Sequence, residues 1–388
     1  MPSIKVMDEL LLLLAPRRTE LHESVLIDKM KWKMGMTGIA WQECLTTLAD
    51  NAREADEKAV WPAASWQALA RTGVLGWSID VAHGGSGSDA IARIVRHEQL
   101  ASVCLTTCFI LSQREAAVRR IEASGNESLC RELLRPLARG ERFATVGLSQ
   151  LTTSRQHLQP TLIARAVGDA FILDGAIPWV TGAAQADYLV IGAVTEMGTQ
   201  VLAVLPSDQP GVHVQPPLDL MALRGSLTAE VRLEQVRLDR RWVLAELAQA
   251  SMGAGRGGPG GLETSCLALG LAGAAIEYMA READARSDLH ESVANLEQDR
   301  RSLRQEMHRL ASKGGTSQNA TALRTLANSL VLRATQAALT VSKGTGFLRD
   351  HPAQRWARQA LFFLVWSCPR PTTEATLAHL APPAEFLE

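Results

Sequence analysis

The 388-residue sequence has few aromatic residues and almost no net charge. Phe, Trp and Tyr together make up 5% of the chain, and the tyrosines number only 2. The 40 Lys and Arg residues against 41 Asp and Glu give a formal charge of −1, so the chain as a whole has no field to attract nucleic acid or an anionic membrane. With 46% hydrophobic and 21% charged residues, the composition is that of a globular protein with enough residues for two or three domains' worth of core.

Long apolar runs are also missing. A membrane-spanning helix needs about 20 consecutive, mostly apolar residues, and no stretch approaches that length. The leucine run in "DELLLLLAP" follows acidic rather than basic residues, and no small-residue cleavage site comes after it, so a signal peptide is not expected either. We expect a cytoplasmic protein, in which residues 1–36 form an N-terminal extension that fits the rest of the chain poorly.

The cysteines lack the spacing of a metal site. Only Cys104 and Cys108, in "CLTTC", are close in sequence, and no second Cys/His pair completes a zinc site, so no metal centre is predicted. We expect reduced, mostly buried thiols in a reducing compartment. The 6 cysteines are Cys44, Cys104, Cys108, Cys130, Cys266 and Cys368.

The hydrophobic pattern changes twice along the chain. Residues 37–142 repeat apolar side chains at helical spacing, which predicts an α-helical N-domain. Residues 143–245 alternate apolar and polar side chains, with a Gly-Asp turn between two such runs, which predicts a β-barrel or sandwich domain. Residues 246–388 return to helical spacing after a Gly-rich stretch and read as a four-helix bundle. The predicted architecture is therefore an α+β multidomain protein in the order helices, strands, helices.

One polar pair, Trp179 and Thr181 in "IPWVTGAAQ", is not explained by local structure. Residues two apart in a strand point to the same face, so an indole and a hydroxyl would meet one neighbour together. That neighbour is either the protein's own core or a flat, polar-edged molecule. The residues around the pair leave both alternatives open.

Six segments between about residue 45 and residue 366 carry a resemblance to a known family. They are "VWPAASWQALARTGVLGWSI", "HGGSGSDAIARIVRHEQLA", "GERFATVGLSQ", "LDGAIPWVTGAAQADYLVIGA", "MALRGSLTAEVRLEQVRLD" and "VSKGTGFLRDHPAQRWARQA". On these segments the chain resembles the acyl-CoA dehydrogenase superfamily, which has this same order of domains. The resemblance implies a flavoprotein that binds FAD, acts on an acyl-CoA or acyl-carrier thioester, and assembles as a homodimer or homotetramer. An electron-accepting flavoprotein is a candidate partner, whereas no nucleic acid and no membrane span are expected.

The resemblance assigns residues to the flavin ring. It implies that Trp179 and Thr181 pack against the isoalloxazine, whose apolar face and hydrogen-bonding edge suit an indole and a hydroxyl. The family's Thr-Glu-Pro loop appears as "GLSQLTTSRQH", where Leu148 and Ser149 would line the flavin. Ser154 would stand for the family's serine near the pyrophosphate and CoA, although the glycine that precedes that serine in the family is missing here.

Three further residues are implied at the other end of the cofactor. Arg286, in "EADARSDLHES", stands for a family arginine that meets the cofactor of a neighbouring subunit, but the Phe-Gly that follows that arginine is absent. Gly344 and Gly346, in "KGTGF", would present bare backbone to the pyrophosphate. The same glycines also fit a helix C-cap followed by a turn.

The catalytic base of the family is the largest departure. A dehydrogenase of this class removes the α-proton of the acyl group with a carboxylate, which requires an acid of suitable pKa. Ser367, in "LVWSCPRP", stands where the family places this glutamate. Some family members carry the carboxylate on the first bundle helix instead, and Glu263 lies about one turn beyond that place. Glu263 is therefore the candidate base, and the alternative role is that of a first-turn acid facing the helix dipole.

Three functions remain open at this stage. The first is an FAD-dependent acyl-CoA dehydrogenase-like oxidoreductase, acting on CH–CH bonds, with a displaced base. The second is a flavin-dependent monooxygenase on the same scaffold, which needs no α-proton base. The third is a catalytically inactive relative that binds flavin or acyl groups. Retention of Thr181, where monooxygenases often have serine, favours the first.

Overall fold

The computed structural model describes residues 38–152, 160–247 and 262–381, with only the backbone at positions 150, 152 and 379. The chain divides into a short unit, Met1–Glu43, and a large unit, Cys44–Glu388. The described part of the short unit is the first turn and a half of a helix. The large unit contains the strands and the other helices described below.

Helices precede the sheet. Asp89 caps the start of helix α3: its Oδ1 accepts a hydrogen bond of 2.8 Å from the backbone N–H of Ala92. The glycine-rich stretch before it is a turn, in which Gly84 and Gly87 have left-handed φ angles of 85° and 57°. The helices are α1 (Gly38–Glu57), α2 (Ala63–Arg71), α3 (Ala90–Val103), α4 (Leu105–Ala123) and α5 (Glu127–Arg139).

Within the described residues, the central part of the chain forms one mixed sheet of 8 strands, paired in the order β6-β7-β3-β2-β4-β5-β8, with β1 parallel to β4. The predicted hairpin is present, since β2 and β3 pair antiparallel around a turn at Gly168. The short helix α6 (Ser149–Thr152) follows β1. The strands are β1 (Ala144–Gly147), β2 (Leu162–Val167), β3 (Ala170–Val180), β4 (Tyr188–Thr195), β5 (Gln200–Pro206), β6 (Val212–Val214), β7 (Ala229–Asp239) and β8 (Val243–Leu247).

Helices return after the sheet. Helices α7, α8 and α9 pack on one another, α10 and α11 pack on α9, and α3 packs along α7. The contact between α3 and α7 depends on Gly270, because a Cβ at this position would overlap the carbonyl oxygen of Glu98. The helices are α7 (Leu262–Ala283), α8 (His290–Lys313), α9 (Ser317–Ser342), α10 (Pro352–Leu361) and α11 (Arg370–Leu380).

These elements confirm the predicted fold class. Every described strand lies between Ala144 and Leu247, with helices on both sides in sequence. One apolar core extends from α4 and α5 into the sheet, and all 6 cysteines are buried, as expected. Among the described helices, none combines the length and the apolar run that crossing a membrane requires.

Candidate active site

A buried carboxylate, Asp56, joins three parts of the large unit. Its Oδ1 accepts hydrogen bonds from the backbone N–H of Leu223 at 2.9 Å and from Nε2 of Gln359 at 2.8 Å. Its Oδ2 lies 2.8 Å from Nη2 of Arg358. The end of α1 is thereby tied both to the turn Arg224–Ser226 and to α10, which fixes the loops around the candidate site.

Next to this joint lies a chain of hydroxyl groups. Thr181, whose residue is 4% exposed, places Oγ1 at 3.3 Å from Oγ1 of Thr228. The Thr228 hydroxyl lies 2.9 Å from Oγ of Ser226, and the backbone N–H of Gly182 donates to the Ser226 carbonyl at 2.8 Å. The Thr181 hydroxyl therefore already has a protein partner, and its orientation is set by the 226–228 turn.

Trp179 and Thr181 do not share a strand face as predicted. Strand β3 ends at Val180, and its pairing with β7 shifts register between Ile177 and Val180. The irregularity breaks the simple alternation, so the indole of Trp179 is half exposed (50%) while Thr181 is buried. The same-face argument was wrong because sequence alternation gives no sign of a bulge.

Leu148 and Ser149 nevertheless lie at the same end of the sheet as this pair. They follow β1 directly, and Gly147, the last residue of β1, is packed so closely against Ile177 that a Cβ there would come within 2.7 Å of Cγ2 of Ile177. Leu148 is buried, and Ser149 begins α6. The structure thus gathers four of the predicted flavin residues near the ends of β1 and β3, whereas Ser154 lies outside the described residues.

The residues predicted for the other end of the cofactor also lie together. Nη1 of Arg286 donates a hydrogen bond of 3.1 Å to the carbonyl of Val341, at the end of α9 and just before the turn that contains Gly344 and Gly346. A Cβ at Gly346 would come within 2.5 Å of the Cβ of Ser342, so packing alone explains that glycine. A Cβ at Gly344 would meet no atom within 4 Å, so packing does not explain this one.

The segment that carries Ser367 is anchored by buried polar side chains of α9. Nη2 of Arg324 donates to the carbonyl of Trp366 at 3.0 Å, and Nδ2 of Asn328 donates to the carbonyl of Phe363 at 3.0 Å. Burial lowers the pKa of Arg324 to about 10. Ser367 itself has a left-handed φ of 49°, an uncommon conformation for a residue with a side chain.

Three aromatic rings connect this segment to α4. The centroid of Phe109 lies 4.9 Å from that of Phe362 and 5.0 Å from that of Trp366, in edge-to-face contacts. Phe362 and Trp366 stack on each other at 5.1 Å. Such contacts stabilise beyond the apolar area that they bury, so the Ser367 segment is held firmly against α4.

Glu263 belongs to a charged cluster of four residues on α3, α4 and α7. Its Oε1 lies 3.1 Å from Nη1 of Arg119, and the same nitrogen lies 3.6 Å from Oε2 of Glu115. The Glu115 carboxylate is buried and lies 3.2 Å from Nε2 of His97. Nδ1 of His97 lies 2.8 Å from the carbonyl of Arg93, which fixes the ring.

The cluster shifts the proton affinity of its members. Burial raises the pKa of Glu115, but the charges of His97 and Arg119 outweigh this and bring it down to about 2. Burial likewise raises the pKa of Glu263, but the Arg119 guanidinium outweighs it, so that the pKa lies below its usual value. Glu263 is therefore a carboxylate at neutral pH, and 41% of its side chain is exposed.

Comparison with known proteins agrees with this architecture. Residues 40–141 match the family model described as the acyl-CoA dehydrogenase N-terminal domain. The probable acyl-CoA dehydrogenase YngJ of Bacillus subtilis is 25% identical over 344 residues, which cover 81% of this chain and 88% of that protein.

This chain is similar to the acyl-CoA dehydrogenases.

Two solved structures of superfamily enzymes share the fold. Butyryl-CoA dehydrogenase from Megasphaera elsdenii superposes with a TM-score of 0.76 at 20% identity, covering 89% of this chain and 98% of that one. A glutaryl-CoA dehydrogenase from Mycobacterium smegmatis, solved in complex with FADH2, gives a TM-score of 0.76 at 19% identity, covering 92% and 97%. The similarity therefore extends over all three regions of the superfamily fold.

Sequence reasoning found Glu263 but missed the residues around it. Glu115 and Arg119 lie four positions apart on α4, a spacing typical of a helical ion pair, and this was the available signal. His97 is on another helix, and nothing in its spacing connects it to Glu115. Asp56 and Arg324 gave no signal either, because a charged residue within a helical pattern is usually exposed.

Proposed function

We propose that the protein is an FAD-dependent oxidoreductase that acts on the CH–CH bond of an acyl thioester. Similarity to acyl-CoA dehydrogenases supports this activity, and so does the grouping of the residues that the resemblance assigns to the cofactor. The observation that carries the proposal is Glu263, a partly exposed carboxylate that is ionised at neutral pH. A base must be deprotonated and accessible before it can take a proton from a substrate.

The residues present fit FAD at two places. At the sheet end, the half-exposed indole of Trp179 offers an apolar surface. The Thr181 hydroxyl, which is shared with Thr228, would supply a polar atom only through the hydrogen-bonding capacity that this contact leaves. Leu148 and Ser149 would complete this part. When bound, FAD supplies the acceptor for the hydride that leaves the β-carbon.

At the other place, the guanidinium of Arg286 and the bare backbone of Gly344 lie near the end of α9. A guanidinium and exposed backbone are what a pyrophosphate requires. Packing does not explain Gly344, so a ligand that approaches the backbone would account for it. Gly346 would support the turn through its packing, and Ser154 stays a proposed contact of the same cofactor.

In this proposal Glu263 takes the α-proton. The Cα–H bond breaks and its proton moves to a carboxylate oxygen of Glu263. The electron pair of that bond forms the new Cα=Cβ double bond as hydride leaves the β-carbon. Ser367 would not act as a base, because a hydroxyl without a basic partner is not deprotonated at neutral pH. The same proposal includes an acyl carrier, which is either CoA or a carrier protein. It also includes an electron-accepting flavoprotein as partner and a homodimeric or homotetrameric assembly.

The serine at position 367, where a carboxylate is missing, favours one alternative. The Ser367 segment is rigidly anchored yet carries no carboxylate, as would suit a flavin-dependent monooxygenase that needs no α-proton base. A protein that binds flavin or acyl groups without catalysis would also keep the anchor without an acid. These alternatives differ from the main proposal in how the flavin responds to an acyl thioester.

The test is an absorption spectrum of the purified protein, repeated without oxygen after adding a panel of acyl-CoAs. Flavin bands that bleach with one acyl-CoA are the expected result. Flavin that never bleaches with any thioester, but reacts with oxygen once reduced chemically, would replace the proposal with the monooxygenase. A protein that neither carries flavin nor takes it up from added FAD would support the inactive relative.

A further inference from the structure

The strongest unassigned feature near the candidate base is the guanidinium of Arg119, which lies between two carboxylates. We infer that Arg119 is a positioning residue for Glu263, held in place by the buried Glu115–His97 pair. This inference rests on the proposed function, in which Glu263 takes the α-proton. It adds three residues to the reaction that neither the superfamily nor the sequence motifs assign.

One nitrogen of the Arg119 guanidinium is placed near two carboxylates. Nη1 of Arg119 lies 3.1 Å from Glu263 and 3.6 Å from Glu115, so one donor faces both carboxylates. The side chain of Glu115 is 1% exposed and that of Glu263 is 41% exposed. The guanidinium therefore connects a fixed buried anion to a partly exposed one. Its position orients the Glu263 carboxylate, which stands in the first turn of α7.

The Arg119 side chain loses conformational freedom when it is held in one position. An ion pair between two exposed side chains contributes little, because both lose conformational freedom when they meet. Here Glu115 is already fixed by His97 at 3.2 Å, and His97 is fixed by the carbonyl of Arg93. Arg119 therefore meets a preformed anion. This makes the pair with Glu263 more persistent than an ordinary surface contact.

The charges of the cluster also act on Glu263. The Glu115 carboxylate raises the pKa of His97 and so favours the protonated ring that balances its charge, which leaves the charge of Arg119 to act on Glu263. Arg120 adds a second positive charge nearby, although its own Nη1 donates to the carbonyl of Ala116. The groups that face Glu263 are Arg119, Arg120 and Glu115 on α4, His97 on α3, and Cys266 on its own helix.

The consequence is a shift of the acid side of the pH–rate profile. Because Arg119 favours the carboxylate form, removing it raises the pKa of Glu263 and leaves less of the base deprotonated in acid. At high pH, where the carboxylate is ionised in either case, the rate changes much less. A residue that only stabilised the fold would instead reduce the rate, or the yield of folded protein, at every pH.

The experiment compares Arg119→Met and Arg119→Lys with the wild type by the anaerobic bleaching rate of the holoenzyme between pH 5 and pH 9. For Arg119→Met we expect the rate at pH 5, relative to that at the alkaline end, to fall by up to about threefold, because a rise of one pKa unit from below 4.5 removes at most about that share of the carboxylate form at pH 5. Arg119→Lys keeps the charge and should recover most of the acid-side rate. Arg281→Met, which breaks an exposed pair with Glu277 on the same helix as Glu263, is the matched control.

Two results separate the possible failures. If Glu263→Gln bleaches like the wild type, Glu263 is not the base, and both the base assignment and the inference are overturned. If Glu263→Gln is inactive but Arg119→Met keeps the wild-type pH profile, only the inference is overturned. A wild type that bleaches with no acyl-CoA contradicts the proposed function, and the pairing of the two side chains is then decided by a readout that needs no activity.

That readout is the carboxyl resonance of Glu263 in protein labelled with carbon-13 at glutamate, identified by its loss in Glu263→Gln. We expect it to titrate below the usual glutamate range in the wild type and to move upward in Arg119→Met. An unchanged titration would overturn the inference whether or not the enzyme turns over. Thermal melting of each variant verifies that the comparison is made on folded protein.

Discussion

Oε2 of Glu115 lies 3.2 Å from Nε2 of His97, and both side chains are buried between α3 and α4. The pair is the inner end of the charged cluster that reaches Glu263. The two side chains stabilise the fold over different pH ranges. The pH dependence of the free energy of unfolding therefore tests whether the pair forms.

Stability should fall on both sides of a window between about pH 4.5 and 6.5. Burial lowers the pKa of His97, but the Glu115 charge and hydrogen bond outweigh it, so the net pKa lies above 6.5. Protonated His97 therefore stabilises the fold fully below pH 6.5, and this contribution is lost as the pH rises through the raised pKa of the folded state. The pKa of Glu115 is lowered from 4.5 to about 2 in the folded protein. Ionised Glu115 therefore stabilises the fold fully above pH 4.5, and this contribution is lost as the pH falls toward 2.

The check is the thermal midpoint of the wild type and of Glu115→Gln across this range. Glu115→Gln should lose about 3–5 kcal/mol at pH 6, the usual result of removing one partner from a buried pair, and should flatten the pH dependence. Glu277→Gln, on the surface, should leave the profile unchanged. A wild-type profile that Glu115→Gln merely shifts downward, with the same shape, would contradict the assignment.

Asp56 should be needed for the fold rather than for the reaction. Asp56→Ala leaves Arg358 without its buried anion and Leu223 without the acceptor of its N–H. We expect a loss of about 1–3 kcal/mol in the free energy of unfolding, because the buried N–H of Leu223 and the amide of Gln359 lose their acceptor. Urea denaturation measures it, and Glu54→Ala on the same helix, which removes an exposed pair with Lys58, is the control. Equal losses of stability in Asp56→Ala and Glu54→Ala would contradict the role of Asp56 in connecting these elements.

The two glycines of the turn after α9 should separate stability from cofactor binding. Gly344→Ala adds a methyl group into open space, so the fold should be kept while FAD is retained less well. Gly346→Ala forces a Cβ against Ser342 and should cost about 1–3 kcal/mol of stability, as overpacking does. Thermal melting and the flavin content after gel filtration measure the two effects. Full flavin content in a folded Gly344→Ala protein would argue against a ligand at this backbone.

Ser367 should prove dispensable for chemistry. A non-glycine residue with a left-handed φ is strained by roughly 1–2 kcal/mol, so Ser367→Gly should raise the thermal midpoint and leave the bleaching rate close to wild type. Ser367→Ala, which removes the hydroxyl and keeps the strain, is the companion variant. Loss of bleaching in both would assign the hydroxyl a role in the reaction.

How far the sequence predicts this molecule depends on whether a feature is local. The cap at Asp89, the turn at Gly168 and the order of helices and strands follow from short-range rules, and all of them are present. The bulge before Val180 could not be predicted, because register is decided by the neighbouring strand.

Long-range pairing is the other limit. Glu115 meets His97 only because α3 and α4 pack side by side. Asp56 reaches residues more than 160 positions away in sequence. Sequence spacing has no bearing on such contacts, so the candidate base was found while its support was missed.

The most direct test of the central claim compares Glu263→Gln with the wild type in anaerobic bleaching by the acyl-CoA that the panel identifies. The account predicts that both proteins bind the same amount of FAD and that only the wild type bleaches, with the variant slower by at least about a hundredfold, the lower bound expected when an acid–base group is lost. Equal bleaching in the two proteins would contradict it, because the α-proton would then have another acceptor.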